Sequence, residues 1–338
     1  MAAPIRLAID AMSGDHGLRA TVPGALRALR EHPEAELVLV GELAALETAL
    51  QAVPAETRRR LHLQPASQVV AMDEAPSKAL RNKKDSSMRV ALDLLKRGEV
   101  QAVVSAGNTG ALMATARFVL KMLPGVDRPA IISALPSQRG HTHMLDLGAN
   151  AECSPEHLLQ FAIMGSAMVA ALERIERPRV ALLNIGEEEI KGNETIKAAA
   201  ALMQASPLNY IGFVEGDGIF HADVDLVVTD GFVGNVALKT GEGVARLVTH
   251  FLREAFTASP YTRVMALAVK PILRRFAERV DPRRHNGASF VGLNGIVIKS
   301  HGGADELAFA NAIAVGVREV QQNLPGRITS LLRDATAT

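Results

Sequence analysis

The sequence predicts an α/β fold on a mainly parallel sheet, and three observations predict it. Short β-branched runs alternate with helical patterns of roughly ten to twenty residues, the rhythm of βαβ units. Runs such as AVVS at 102–105 and DLVVT at 225–229 are almost continuously apolar, as strands covered on both faces are. Trp is absent and Tyr occurs only twice, so Ala, Leu, Val and Ile must fill the interior, which suits a helix-covered sheet.

In chain order, strands are expected at Ile5–Asp10, Glu36–Val40, Gln101–Ser105, Ala130–Ala134, Met144–Leu147, Val180–Ile185, Tyr210–Val214 and Asp225–Thr229. The polar stretch Pro54–Arg60 reads as a surface connection. Helices are expected at Pro155–Glu173, where Ser154 supplies an N-cap and Pro155 the first helical residue, at Asn193–Gln204 and at Gly234–Phe256. In the last, Leu238, Gly241, Ala245, Val248 and Leu252 recur at helical spacing. Residues 1–338 read as one large α/β unit with a subdivision placed near 125, and 257–287 break the rhythm as a helical appendage.

Thirty-seven basic residues against 36 acidic ones give a net charge of +1, which excludes a strongly basic nucleic-acid binder by bulk charge. One cysteine, Cys153, excludes an intramolecular disulfide and a CxxC metal site. The opening MAAPIRLAID has no long apolar run after a basic start, and no uncharged apolar stretch is long enough to span a bilayer. A cytoplasmic protein is the expectation.

Polar-plus-glycine clusters follow directly on the apolar strands: DAMSGD at 10–15, SAGNTGA at 105–111, DLGAN at 146–150, NIGEEEIKGNE at 184–194 and TDGFVGN at 229–235. In an open parallel sheet the strand C-termini share one edge, where glycine admits close backbone approach and helix N-termini offer free N–H groups to an anion. Five such clusters on one edge describe a phosphate-competent cleft. Neither GxxxxGK[ST] nor GxGxxG after the first strand is present, which points to free phosphate rather than ATP or NAD. No cofactor and no metal are expected. The pair His141 and His143 is an HxH half-site for a metal, but a solvated strand edge is the favoured reading. Cys153, without an adjacent His, reads as a small buried hydrophobe rather than an acyl acceptor.

Longer strings carry a resemblance. VSAGNTGALMA at 104–114, LDLGAN at 145–150, QFAIMGS at 160–166, RVALLNIGEEEIKGNE at 179–194 and DGFVGNVALKT at 230–240 resemble the PlsX family, the phosphate acyltransferases of bacterial phospholipid synthesis. DAMSGD near the start and IKSHGGAD at 298–305 extend the resemblance over essentially the whole chain. Two places depart from the family's pattern: Ser13 stands where a glycine is usual, and ANAECS at 149–154 replaces a more acidic sequence. The resemblance implies a three-layer α/β/α fold similar to phosphotransacetylases and to isocitrate and isopropylmalate dehydrogenases. It also implies a homodimer, and transfer of an acyl group from acyl carrier protein to inorganic phosphate. The acyl phosphate would feed a membrane glycerol-3-phosphate acyltransferase.

On this reading substrate contacts are expected from Asp10, Gly14, Ser105, Gly107, Asn108, Thr109 and Gly110, from Asp146, Gly148 and Asn150, from Gly186, Glu187, Glu194 and Gly231, and from His301 and Gly302. Asn108, Thr109 and the helix start after Gly107 would hold phosphate, while Asn184 and Asn235 would serve the carbonyl oxygen. Lys191 is the expected catalytic cation, and Asp230 orients donors rather than acting as a base. The appendage is basic and amphipathic, with Arg263, Lys270, Arg274 and Arg275 among Leu267, Ile272 and Phe276, and Pro271 is expected to kink it or start a second helix. That suits an anionic lipid surface at the inner face of the cell membrane, or an acidic carrier protein. The alternatives are a phosphotransacetylase-like enzyme using acyl-coenzyme A, a decarboxylating dehydrogenase, and a non-catalytic membrane scaffold.

Overall fold

Alternation of small and branched apolar residues along most runs leaves both faces of those strands apolar, so they need helices above and below. A computed structural model describes residues 4–336. It joins β1 (Ile5–Asp10), β2 (Ala35–Gly41), β3 (Leu61–Pro65), β4 (Ala102–Ser105), β5 (Ala130–Ser137), β6 (Gly140–Leu145), β7 (Arg179–Leu183), β8 (Asn209–Val214), β9 (Leu226–Val228), β10 (Ala288–Val291) and β11 (Ile296–Lys299) in one sheet. The spatial order is β3-β2-β1-β4-β11-β10-β5-β6-β9-β7-β8.

Most pairings are parallel, but three successive antiparallel junctions cross the middle of the sheet, from β11 to β6, and leave its two halves opposed. β3, β2, β1, β4 and β11 run together. β10 is antiparallel to both β11 and β5, and β5 turns back into β6 as an antiparallel hairpin. β6, β9, β7 and β8 are then mutually parallel and opposed to the first block. The fold is the expected mainly parallel α/β sheet with helices on both faces. One apolar core runs along one face through both blocks, from Val38, Ala8 and Val103 to Ile131, Met144, Val227 and Ala181. The opposite face carries two cores, one under the helices Leu18–Glu31 and Glu306–Gln321, the other under Pro155–Glu173 and Leu324–Thr336.

Pro155–Glu173 begins with the expected cap: the Ser154 hydroxyl accepts from His157 N at 3.3 Å, and Pro155 fills the first turn. Pro54–Arg60 holds a one-turn helix, Ala55–Arg58. The sequence reading missed β3, β10 and β11, of which β10 and β11 are only four residues long.

The helices Gly231–Thr257 and Pro260–Val280 pack on each other as a hairpin, capped at the turn by Ser259 and Thr262. The appendage expected at 257–287 is thus the distal arm of a larger unit. That arm continues as one helix through Pro271. Its Arg263, Leu267, Lys270, Ile272, Arg275 and Phe276 are exposed; the Arg274 side chain lies outside the described residues. On the proximal arm Phe232, Val236, Val244, Leu247 and Phe251 are all at least half exposed, from 50% to 66%. Among the described residues no helix is long and apolar enough to cross a membrane.

Candidate active site

The C-terminal ends of β1, β4 and β11 form the first polar group. Asp10 is buried, and one carboxylate oxygen accepts from Ser105 Oγ at 2.6 Å while the other, Oδ1, has no partner. Burial raises its pKa, against hydrogen bonds from Ser105 and Ser87 and the charge of Lys299. Lys299 ends β11 beside it with only 9% of its surface exposed. Burial pushes this ammonium down to about 8, with Asp10 and Asp15 holding it up and Lys239 pressing it lower. Its Nζ donates to the carbonyls of Ala106 and Ser300, so the cation lies between the 105–107 and 300–302 loops.

Small residues and a hydroxyl lock these loops together. Gly14 has φ 81°, and a Cβ there would meet Gly302 O and Ala106 Cβ at 2.9 Å, so only glycine fits. The Ser13 hydroxyl donates to Asp10 O at 2.7 Å and accepts from Ala106 N at 2.9 Å, which makes the departure at position 13 a brace between the β1 and β4 loops. Asn108 is committed to structure. Its Oδ1 caps the helix Thr109–Leu120 at Ala111 N, and its Nδ2 donates to Met72 O and Glu74 O. Its carboxamide is therefore not free to grip phosphate as expected, whereas Thr109 and Gly110 are exposed at the helix start. His301 is exposed at the mouth, its pKa lowered by partial burial and then by Lys239.

The ends of β6 and β9 form the second group. Asp146 is fully buried and accepts four N–H bonds: Ile131 N at 2.9 Å and Ala149 N at 3.1 Å on one oxygen, Asn150 N at 2.8 Å and Asn150 Nδ2 at 2.9 Å on the other. Burial still raises its pKa. Asp146, with both oxygens taken, and the Asn150 Nδ2, which also donates to Pro129 O at 2.8 Å, thus shape the loop. Asp230 caps the helix Gly231–Thr257, accepting from Val233 N at 2.9 Å. Gly231 and Gly234 let that helix lie on the loop; a Cβ on Gly234 would stand 1.9 Å from Asp146 O. Asn235, exposed one turn in, faces Gly148.

The β7 loop, 184–193, is the third group. Asn184 Nδ2 is buried without a partner, and the Asn184 side chain packs against Gly192. Lys191 is exposed with its stem folded over Gly186, beside exposed Glu187, Glu188 and Glu189. Glu194 lies out in solvent, paired with Lys197 at 3.3 Å. Asn184 and Asp230 end neighbouring parallel strands, so the second and third groups share an edge.

The five clusters do not share one edge, contrary to the sequence reading. The reversal through β10 and the β5–β6 hairpin sends the C-termini of the second block the other way along the sheet. The helix Gly231–Thr257 connects the groups: it starts at Asp146 and Asn150, and its Lys239 and Glu242 act electrostatically on Lys299 and His301. The candidate site therefore comprises two strand-end groups linked by one helix.

Residues 5–327 match the family described as "Fatty acid synthesis protein". The chain is 57% identical over 335 residues to a protein named phosphate acyltransferase from Methylococcus capsulatus, covering 98% of each. It is 55% identical over 337 residues to another of that name from Alkalilimnicola ehrlichii, covering 100% of this chain and 98% of that one. The chain belongs to the phosphate acyltransferase family. In fold it is similar to a phosphotransacetylase from Streptococcus pyogenes (TM-score 0.62, 14% identity, 95% of each chain). It is likewise similar to a branched-chain phosphotransacylase from Enterococcus faecalis (TM-score 0.56, 14% identity, 94% of this chain and 99% of that one).

Within this phosphate acyltransferase fold, sequence reasoning missed Lys299. The signal was present: IVIK followed by SHGG repeats the strand-then-glycine pattern used for the other clusters. It missed Lys239 because a lysine in a helical run reads as solvated. Cys153 is half-buried, and burial, then the charges of Asp146 and Asp230, push its thiol up to about 12, which withholds the thiolate needed for acyl transfer.

Proposed function

We propose that this chain transfers an acyl group from acyl carrier protein to inorganic phosphate, giving acyl phosphate and free carrier for phospholipid synthesis. The observation that carries this reading is Lys299, a buried cation with a lowered pKa between glycine loops and beside the loop that leads into the helix Thr109–Leu120. A small anion fits such a place; a nucleotide would require a longer phosphate-binding loop.

In the proposed step, hydrogen phosphate is held by Lys299 and the N–H groups of Thr109 and Gly110. One of its oxygens attacks the thioester carbon, the C–O bond forms, the C–S bond breaks, and the phosphate's proton ends on the carrier thiol. An amine with a pKa of about 8 is suited to relay that proton near neutral pH. Asn235, on the helix that runs towards Lys299, donates to the carbonyl oxygen as negative charge develops. Lys191, reaching from its exposed loop, neutralises charge at the carrier side.

Two partners follow from the hairpin. The exposed apolar residues of the proximal arm suit a second copy of the chain in a homodimer. The basic amphipathic distal arm suits the anionic inner face of the cell membrane, where a glycerol-3-phosphate acyltransferase would take the product. The primary test incubates purified protein with palmitoyl-acyl carrier protein and labelled phosphate. Labelled acyl phosphate and free carrier, formed in equal amounts, are expected. Product from acyl-coenzyme A but none from the acyl carrier protein would overturn the carrier assignment.

A further inference from the structure

The HxH pair was expected to be a solvated edge, and the structure places it otherwise. His141 and His143 lie two apart on β6, so both rings project from the same face. His143 is buried, at 4% exposed, and His141 sits at the rim. Glu173, the last residue of the helix Pro155–Glu173, reaches both: its Oε1 is 3.1 Å from His141 Nε2 and 3.7 Å from His143 Nε2. One ligand atom from each of the three residues falls within 4.8 Å of the others. The rings meet edge to face at 5.2 Å, and His285 stands 6.4 Å from His141, ring centre to ring centre.

We propose that His141, His143 and Glu173 form a binding site for one divalent first-row transition cation of the zinc class. Ligand atoms about 2.0–2.1 Å from a tetrahedral ion lie about 3.3 Å from one another, so the Glu173 distances need only small side-chain adjustments. Two imidazoles and one carboxylate are the donors such ions take, and they leave a fourth position for water or for His285. The helix terminus at Glu173 adds partial negative charge from its free carbonyls. Arg318, from the helix Glu306–Gln321, opposes the cation, and Asp225, just before the neighbouring β9, favours it.

The site is separate from the acyl-transfer centre. His143 precedes Asp146 by three residues, which is about 10 Å of strand. A bound ion would tie the β5–β6 hairpin to the end of the helix Pro155–Glu173. It would act as a structural clamp, not as a participant in the reaction.

The test uses chelator-stripped full-length protein titrated with Zn²⁺ and, as a spectroscopic probe, Co²⁺. One equivalent of Co²⁺ should give the visible absorption of low-coordinate cobalt, and Zn²⁺ should abolish it by displacement. Zn²⁺ should also raise the Tm until one equivalent is bound. H141A and E173Q, both at the rim, should keep the wild-type circular dichroism and lose affinity at least about tenfold. H250A serves as control for exposed histidines, since His250 lies far out on the hairpin opposite Glu254. Saturable binding that survives undiminished in both H141A and E173Q would overturn the assignment, whatever H250A does. So would the absence of saturable binding below about 100 µM metal. Acyl transfer is read separately, so loss of one reading leaves the other standing.

Discussion

In a Lys299→Met variant, an uncharged thioether of similar length would fill the channel now holding an ammonium. Lowering the amine from its ordinary 10.5 to about 8 corresponds to about 3 kcal/mol against the charged form in the folded state. Below pH 8 the amine is charged in both folded and unfolded chains, and the native state bears the whole penalty. Between about 8 and 10.5 the native state releases its proton while the unfolded chain keeps it, so this group makes stability rise with pH across that window. Cys153, with its raised pKa, acts in the opposite sense above pH 9 but equally in both proteins, so the difference between them isolates Lys299. Urea denaturation of both proteins from pH 7 to 10.5 measures this difference. The variant should be the more stable at pH 7, by less than the full 3 kcal/mol because Asp10 loses its compensating charge, and the advantage should shrink towards pH 10.5. Turnover with phosphate should fall at least about 100-fold, close to 3 kcal/mol of lost transition-state stabilisation. Parallel pH curves, or turnover near that of the wild type, would refute the reasoning.

Other expectations are independent of that one. Lys191→Ala should cut turnover about tenfold or more with no change in Tm, since the side chain is exposed; full turnover would leave Lys299 as the sole catalytic cation. Gly234→Ala puts a Cβ against the Asp146 carbonyl and should cost about 3 kcal/mol or more, whereas Gly243→Ala, in open helix surface, should stabilise by about 0.5–1 kcal/mol; chemical denaturation that ranked them alike would contradict the packing. Cys153→Ser should retain acyl transfer, and iodoacetamide at pH 8 should label the native thiol far more slowly than the unfolded one. Sedimentation with anionic vesicles at low salt should recover the wild-type protein, and Leu267→Glu should weaken that recovery; equal recovery of both would remove the distal arm from the membrane.

The fold was readable where burial is two-sided. β1 has the bounds its sequence pattern gives, and Pro155–Glu173 follows from Ser154-Pro155 and a long, mainly apolar stretch. β10 and β11 escaped because only a glycine-rich turn separates them, with no intervening helix to mark the strand–helix rhythm. The site was legible as a set of loops but not as roles. Asn108 and Asn150 look alike as carboxamides beside glycine, yet Asn108 is held by backbone partners and the Asn150 Nδ2 by Pro129 O and the Asp146 carboxylate. His143 reads as polar from its neighbours and is nevertheless buried.

The sequence by itself determined the sheet-and-helix alternation, the glycines at strand ends and the membership in the phosphate acyltransferase family, because these depend on local periodicity and on long shared strings. Only the tertiary structure decided that the sheet reverses through β10 and the β5–β6 hairpin, that a lysine at the end of β11 is a buried cation, and that two histidines and a glutamate 30 residues further along the chain converge. Strand direction, burial and ionisation are set by neighbours distant in sequence, and a local pattern carries no record of them.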